Sequence, residues 1–219
     1  MSTAETFINE SGFIRPMEYE FRQNRISFAK ELNYLDRFVI DFCEHLSDLK
    51  IRFVLVSGYI SILFGRSRET EDVDLLVDEL SFEEFKGLWD LLSEDFECLN
   101  TADCKGAFEE YLRAGHAIRF SRKGRFIPNM ELKFKKTSTD GFVMENSIEL
   151  VLNGLHRLRI SPIELQIAYK LYLGSDKDLE DAKFLYELFF DDISHEKLEG
   201  FLSWFDEGTR IRFKRIARE

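Results

Sequence analysis

Two aspartates stand two residues apart at the head of an apolar strand, shortly after a Ser-Gly turn. The segment runs Val54-Leu55-Val56-Ser57-Gly58-Tyr59-Ile60-Ser61-Ile62-Leu63-Phe64, then a charged loop from Gly65 to Glu71, then Asp72-Val73-Asp74-Leu75-Leu76-Val77. Side chains at i and i+2 of a strand share a face. Asp72 and Asp74 therefore project together, while Val73 and Leu75 point to the other side. Neighbouring carboxylates repel, and a proton or a cation relieves the repulsion. Hard divalent cations such as Mg²⁺ take oxygen ligands of this kind. The Ser57-Gly58 turn offers backbone N–H groups ahead of a short helix, which suits a phosphate. The pattern calls for a sheet carrying helices and for metal-assisted chemistry on phosphates.

The rest of the chain supplies an α+β frame for that segment. Apolar residues at Leu32, Leu35, Phe38, Val39, Phe42, Leu46 and Leu49 form one stripe of an amphipathic helix over Ile26–Leu49. A short buried strand follows at Arg52–Val56 and a short helix at Tyr59–Phe64. Ser81-x-x-Glu84 is a capping box that opens a helix through Phe82, Phe85, Leu88, Leu91 and Leu92. A short helix over Lys105–Arg113 precedes strands at His116–Ser121, Asn129–Lys135 and Ile148–Asn153. Asn153-Gly154 is a hairpin turn leading into Leu155–Ile160. Ser161-Pro162 then reads as N-cap and first helical position. It opens helices over Pro162–Leu173, Leu179–Phe190 and His195–Phe205. This order predicts a mixed sheet flanked by helices, with a C-terminal helical lobe. The boundaries read as an N-terminal arm over 1–25, a sheet domain over 26–160 and the lobe over 161–219.

Composition narrows the function. The 219 residues suffice for one large domain or a domain with an appendage. The 22 phenylalanines point to aromatic-rich packing. Cys43, Cys98 and Cys104 are odd in number and lack a CxxC spacing, against a disulfide framework or a zinc site. His45, His116, His156 and His195 form no metal-binding spacing. No run approaches the ~20 apolar residues of a membrane span, and residues 1–16 carry no apolar signal core. A cytoplasmic location without a membrane partner is expected. The net charge of −11 repels nucleic acid as a whole. Yet Arg119, Arg122, Lys123, Arg125, Lys133, Lys135 and Lys136 lie close together with Glu131 as the one acid among them. Such a patch suits a polyanion. The basic C-terminal tail, Arg210 to Arg218, reads equally well as a solvated face.

Arg68-x-Thr70-x-Asp72-Val73-Asp74 after Ser57-Gly58 resembles the nucleotidyltransferases of the DNA polymerase beta superfamily. Within it the segment is most like the AbiEii-type toxins and minimal nucleotidyltransferases. The likeness spans roughly residues 35–190. The superfamily writes Gly-Gly or Gly-Ser at the turn, and here the order is Ser57-Gly58. The resemblance implies a nucleotidyltransferase-fold sheet and two Mg²⁺ ions, with Mn²⁺ as a substitute, held by Asp72, Asp74 and a third acid. Glu131, framed by Met130 and Leu132, is the candidate for that acid. A solvent-facing Glu131 beside Lys133 and Lys135 fits the same alternation. Ser57 and Gly58 would contact the phosphates. Arg66 and Arg68 suit triphosphate charge, or pair with Glu69 and Glu71. Lys133 joins the nucleotide-binding candidates.

A second likeness to the AbiEii type lies in the Pro162-Ile163-Glu164 helix ending at Lys170, followed by Lys177-Asp178-x-x-Asp181. It implies that Lys170 and Lys177 bind the nucleotide. Thr70, Asp178 and Asp181 would support the site, although Asp176 or Asp178 also suits an N-cap. The implied reaction moves an NMP from an NTP to an RNA, such as a tRNA end, or to a protein hydroxyl, in a toxin–antitoxin or defence setting with a partner protein. The competing expectation is an idle nucleotide- or RNA-binding module of the same fold. A partner-regulating subunit ranks third.

Overall fold

The strands that read as unbroken apolar runs lie at the centre of the sheet, where both faces are covered. The computed structural model describes residues 17–217, together with the backbone of β1 (Phe7–Ile8) and β2 (Ile14–Arg15), which pair antiparallel. The remainder of the expected arm over 1–16 lies outside the described residues. The main sheet contains β3 (Tyr19–Arg22), β4 (Arg25–Phe28), β5 (Phe53–Val56), β6 (Asp72–Val77) and β7 (Phe96–Cys98). It is completed by β8 (Ile118–Arg122), β9 (Asn129–Phe134), β10 (Ile148–Leu152) and β11 (His156–Ile160). Their spatial order is β3-β4-β10-β11-β5-β6-β9-β8-β7. The pairs β4–β10, β5–β11 and β6–β9 are parallel and the others antiparallel, so the sheet is mixed.

Helices flank this sheet and fill the C-terminal part. They are α1 (Tyr34–Asp48), α2 (Gly58–Leu63), α3 (Phe82–Leu92), α4 (Cys104–Gly106, continued by a π-helical turn to Leu112) and α5 (Ser138–Asn146). After Ile160 come α6 (Ile163–Leu173), α7 (Asp176–Leu188), α8 (His195–Leu202) and α9 (Glu207–Ile216). The mixed-sheet α+β architecture expected from the sequence is thus the observed one. Among the described residues no helix is long and apolar enough to cross a membrane.

Some elements differ from expectation for identifiable reasons. The first helix starts at Tyr34 rather than Ile26, because Asn33 and Asp36 form a reciprocal capping box there. Ile26 and Phe28 instead point into the core from β4. Tyr19–Arg22, inside the expected arm, is an edge strand paired with β4. Ser161 does not cap α6: its Oγ donates to Gln166 Oε1 at 2.9 Å, and Pro162 takes the N-cap position. Ser175, not Asp176 or Asp178, caps α7.

Aromatic rings join the layers. Phe42 of α1 packs on Phe96 and Phe120, Trp89 of α3 meets Phe120, and Phe85 stacks on Phe108. Burying one such ring fully is worth about 1.5–3 kcal/mol. This packing holds α1 and α3 against β7 and β8, and β8 pairs in turn with β9, which lies beside β6; β6 and β9 carry the acidic residues.

Candidate active site

Ser57 sits at the bend between β5 and α2 with φ 65° and ψ −138°, a conformation that L side chains resist. Gln166 of α6 holds the bend from both sides. Its Nε2 donates to Ser57 O at 2.7 Å, and the Ser57 N–H donates to Gln166 Oε1 at 3.3 Å. Gly58 lets Arg68 lie close: a Cβ there would come 2.1 Å from Arg68 Nη2 and push that side chain away.

The register of β6 assembles the acids. Val56, just before the bend, faces Asp74, and Asp74 in turn faces Glu131 of β9. Asp72 faces Asn129, whose Nδ2 donates to Asp72 Oδ1 at 2.8 Å. Thr70 Oγ1 donates to the Asp72 carbonyl at 2.9 Å and steadies the entry to the strand. Asp72, Asp74, Asn129, Glu131 and Lys133 therefore share one face. Their side-chain ends are separately engaged. Lys133 Nζ lies 3.6 Å from Asp74 Oδ1, and Arg119 Nε lies 3.3 Å from Glu131 Oε2. Among the described residues no three His, Cys, Asp or Glu side chains gather closely enough to hold a metal ion as they stand. Asn129 Oδ1 is buried beside Asp72 without a hydrogen-bond partner.

The expected triphosphate-binding cations form a second cluster. Asp181, fully buried on α7, accepts a fork from Arg68, with Nε at 3.1 Å and Nη2 at 3.0 Å, and also pairs with Arg66. Arg66 further engages Glu180 and the Lys177 carbonyl. Lys170, 2% exposed, reaches Asp178 at 2.7 Å and Asp181 at 3.1 Å. Neither arginine pairs with Glu69 or Glu71 through its side chain; Arg68 donates to the Glu69 carbonyl. Burial pushes the Asp178 carboxyl up, but hydrogen bonds from Lys170 and Ser175 and the charges of Lys170 and Lys177 outweigh it and leave the group below its ordinary value. Lys177 itself is exposed.

A cavity of about 260 Å³ opens beside Lys133 on the acidic face. Val56, Leu76 and Leu165 form its apolar floor, and Thr137, Asp140 and Gln166 add polar groups. Tyr169 and Phe205 wall it, their ring centroids 6.1 Å apart. Burial raises the Tyr169 hydroxyl, Lys133 opposes this, and Asp74 and Asp140 reinforce it. The phenol is therefore a hydrogen-bond donor at neutral pH. Cys43 is inert by contrast: burial, then Glu44, pushes its thiol far above the range in which a thiolate forms.

Sequence reasoning missed Asn129, Gln166, Tyr169 and Phe205, and it placed Arg119 in the basic patch without its pairing to Glu131. Asn129-x-Glu131 repeats the spacing of Asp72-x-Asp74, and that was a usable signal. The Gln166 clamp joins residues 109 apart and left none.

No protein-family model and no curated protein matches this chain. Among solved structures it is similar to an antigenic nucleotidyltransferase-like protein from Paracoccidioides brasiliensis, at 19% identity and a TM-score of 0.46, over 75% of this chain and 84% of that one. It is also similar to JHP933 from Helicobacter pylori, at 16% identity and a TM-score of 0.44, over 78% and 74%. A third likeness is to a tRNA nucleotidyltransferase complexed with a primer tRNA and an incoming ATP analogue, at 12% identity and a TM-score of 0.33, over 81% and 60%.

Proposed function

We propose that this chain is a divalent-metal-dependent nucleotidyltransferase that moves an NMP from an NTP onto a hydroxyl of RNA or protein. One observation carries the reading: the strand register sets Asp74 against Glu131, and Asp72 on the same face, directly beyond the strained Ser57–Gly58 bend. The available donors are all oxygens, which suits Mg²⁺ or Mn²⁺ rather than a soft metal. The unpartnered, buried Asn129 Oδ1 beside Asp72 is a further acceptor that an ion's coordinated water would satisfy. The Lys133 ammonium at Asp74 occupies the position of a counter-charge.

Asp72, Asp74 and Glu131 would hold the metal. When bound, Mg²⁺ supplies neutralisation of the phosphate charge that develops in the transfer. The protein's own groups do the rest. Glu131 accepts the proton of the attacking hydroxyl once released from Arg119. Lys133 offers a positive charge between the acids and the cavity. The cavity, walled by Tyr169 and Phe205, takes the nucleoside. Arg68, lying across Gly58, is the cation nearest the bend, and a triphosphate there shares it with Asp181. Arg66, Lys170 and Lys177 stand behind it as a reserve of positive charge. A cognate partner protein of the antitoxin kind would regulate such an activity by covering this face.

A second reading, a nucleotide-binding module without turnover, draws on the separate engagement of Asp74 and Glu131 by Lys133 and Arg119. One experiment separates the two. The purified chain is incubated with each α-labelled NTP, Mg²⁺ and total RNA or protein, beside the Asp72→Ala, Asp74→Ala double variant. Label should pass to an acceptor with the unmutated chain and fall on the order of 10³-fold with the variant. Equal NTP binding by both chains without transfer by either would favour the idle module.

A further inference from the structure

The β8–β9 hairpin ends in Lys123-Gly124-Arg125-Phe126-Ile127-Pro128, and its tip is bare. Phe126 is 78% exposed and Ile127 55% exposed. These exposed apolar side chains sit beside Lys123 and Arg125 on a chain whose net charge is −11. The acids at the root of the hairpin are committed: Asp41 and Asp95 to Arg122, and the Glu97 carboxylate to the Gly124 N–H at 2.6 Å. Lys123, Arg125 and the nearby Arg37 of α1 have no acidic partner among the described residues. Arg125 lies over the half-exposed Tyr34 ring, 5.5 Å from its centroid, and Arg37 stands one helical turn beyond Tyr34. Two exposed rings thus sit among three cations that have no acidic partner among the described residues.

The position of this patch is as informative as its composition. The hairpin tip runs directly into Asn129, which is hydrogen-bonded to Asp72. Phe126 is three residues from Asn129, at most about 11 Å of chain. The patch lies at the end of the sheet where the acidic face begins.

We propose that this hairpin tip, with Tyr34 and Arg37, is the docking surface for the single-stranded end of an RNA acceptor. Bases stack on Phe126 and Tyr34, and Arg125, Lys123 and Arg37 take the phosphates, which is how single strands are held without sequence readout. A duplex offers no open base faces, so it binds here more weakly. The proposal rests on the nucleotidyl-transfer reading for its choice of acceptor, but the binding it describes does not need the acids.

The test is fluorescence anisotropy of a short, unstructured oligoribonucleotide against the full chain, with its blunt duplex as the comparison. The protein carries Asp72→Ala and Asp74→Ala, so that turnover plays no part. Single-strand binding should exceed duplex binding. Phe126→Ala should weaken it about tenfold, and Lys123→Glu with Arg125→Glu should weaken it further and flatten its salt dependence. Thermal melting checks that these exposed changes leave the fold intact. Undiminished binding by both variants would overturn the proposal. So would the loss, in Phe126→Ala, of self-association or of capture of a protein acceptor with RNA affinity unchanged, because the patch would then belong to a protein partner. NTP binding, read separately on the unmutated chain, reports on the catalytic reading alone.

Discussion

Ser57 shows what a single backbone angle reveals. Its positive φ marks position 57 as the one that favours glycine, and the Gly58 contact with Arg68 marks position 58 as the one where a Cβ would displace that side chain. Serine at 57 therefore occupies a backbone conformation better suited to glycine. Strain of this kind costs on the order of 1–3 kcal/mol, part of it offset by the greater freedom of glycine in the unfolded chain. Ser57→Gly should then raise stability by about 1 kcal/mol, read as a higher urea midpoint at an unchanged slope. A lower midpoint would mean that the side chain supports the bend. Gly58→Ala should act oppositely, displacing Arg68 and weakening NTP binding in a titration while leaving most of the fold in place.

Elements carried their own signals unequally. The Asp-x-Asp strand, the Ser81 capping box and the Asn153-Gly154 hairpin were legible because each depends on neighbours in sequence. The edge hairpin of β3 and β4 was not, since Gln23 takes the positive φ of its turn where a glycine would have advertised it. Helix α5 was missed because Ser138–Asn146 has no apolar stripe and carries Gly141. The basic tail from Arg210 to Arg218 read equally as a polyanion surface and as a solvated face, with no helix expected; up to Ile216 it lies in helix α9. Least legible was the α7 ion cluster, where Arg68 and Asp181 are 113 residues apart. Removing the Asp181 charge by Asp181→Asn leaves three cations with too few acids in a poorly hydrated place. It should cost about 3 kcal/mol in chemical denaturation. Asp178 adds a pH dependence. Its folded pKa lies below the unfolded value of 3.8. Its stabilising contribution is therefore complete well above that value and is lost as pH falls through the folded pKa. The stability gap between the native chain and Asp178→Asn should be constant near neutrality and should narrow below about pH 4. A gap independent of pH down to acid unfolding would remove the carboxylate from the account.

Over the whole molecule, the edge hairpin of β3 and β4 meets the end of α7. Phe189, at the end of α7, packs on Tyr19, Phe21 and Phe64, and Tyr19 Oη donates to the Leu188 carbonyl at 2.8 Å. Phe189→Ala should cost about 3–5 kcal/mol and lower the thermal midpoint of sheet and helices together. Two separated transitions by circular dichroism and tryptophan fluorescence would show instead that the halves melt independently. The Gln166 side chain binds the two sides of Ser57 much as another strand would, so a helix supplies the missing rung of the ladder at the edge of the acidic face. The curvature of that bend is thus borrowed from residues beyond Ile160. The acidic strands and the helices after them form a single instrument: grafting the Ser-Gly turn and the Asp-x-Asp strand onto another sheet would carry over the letters of the motif and leave behind the brace that shapes it.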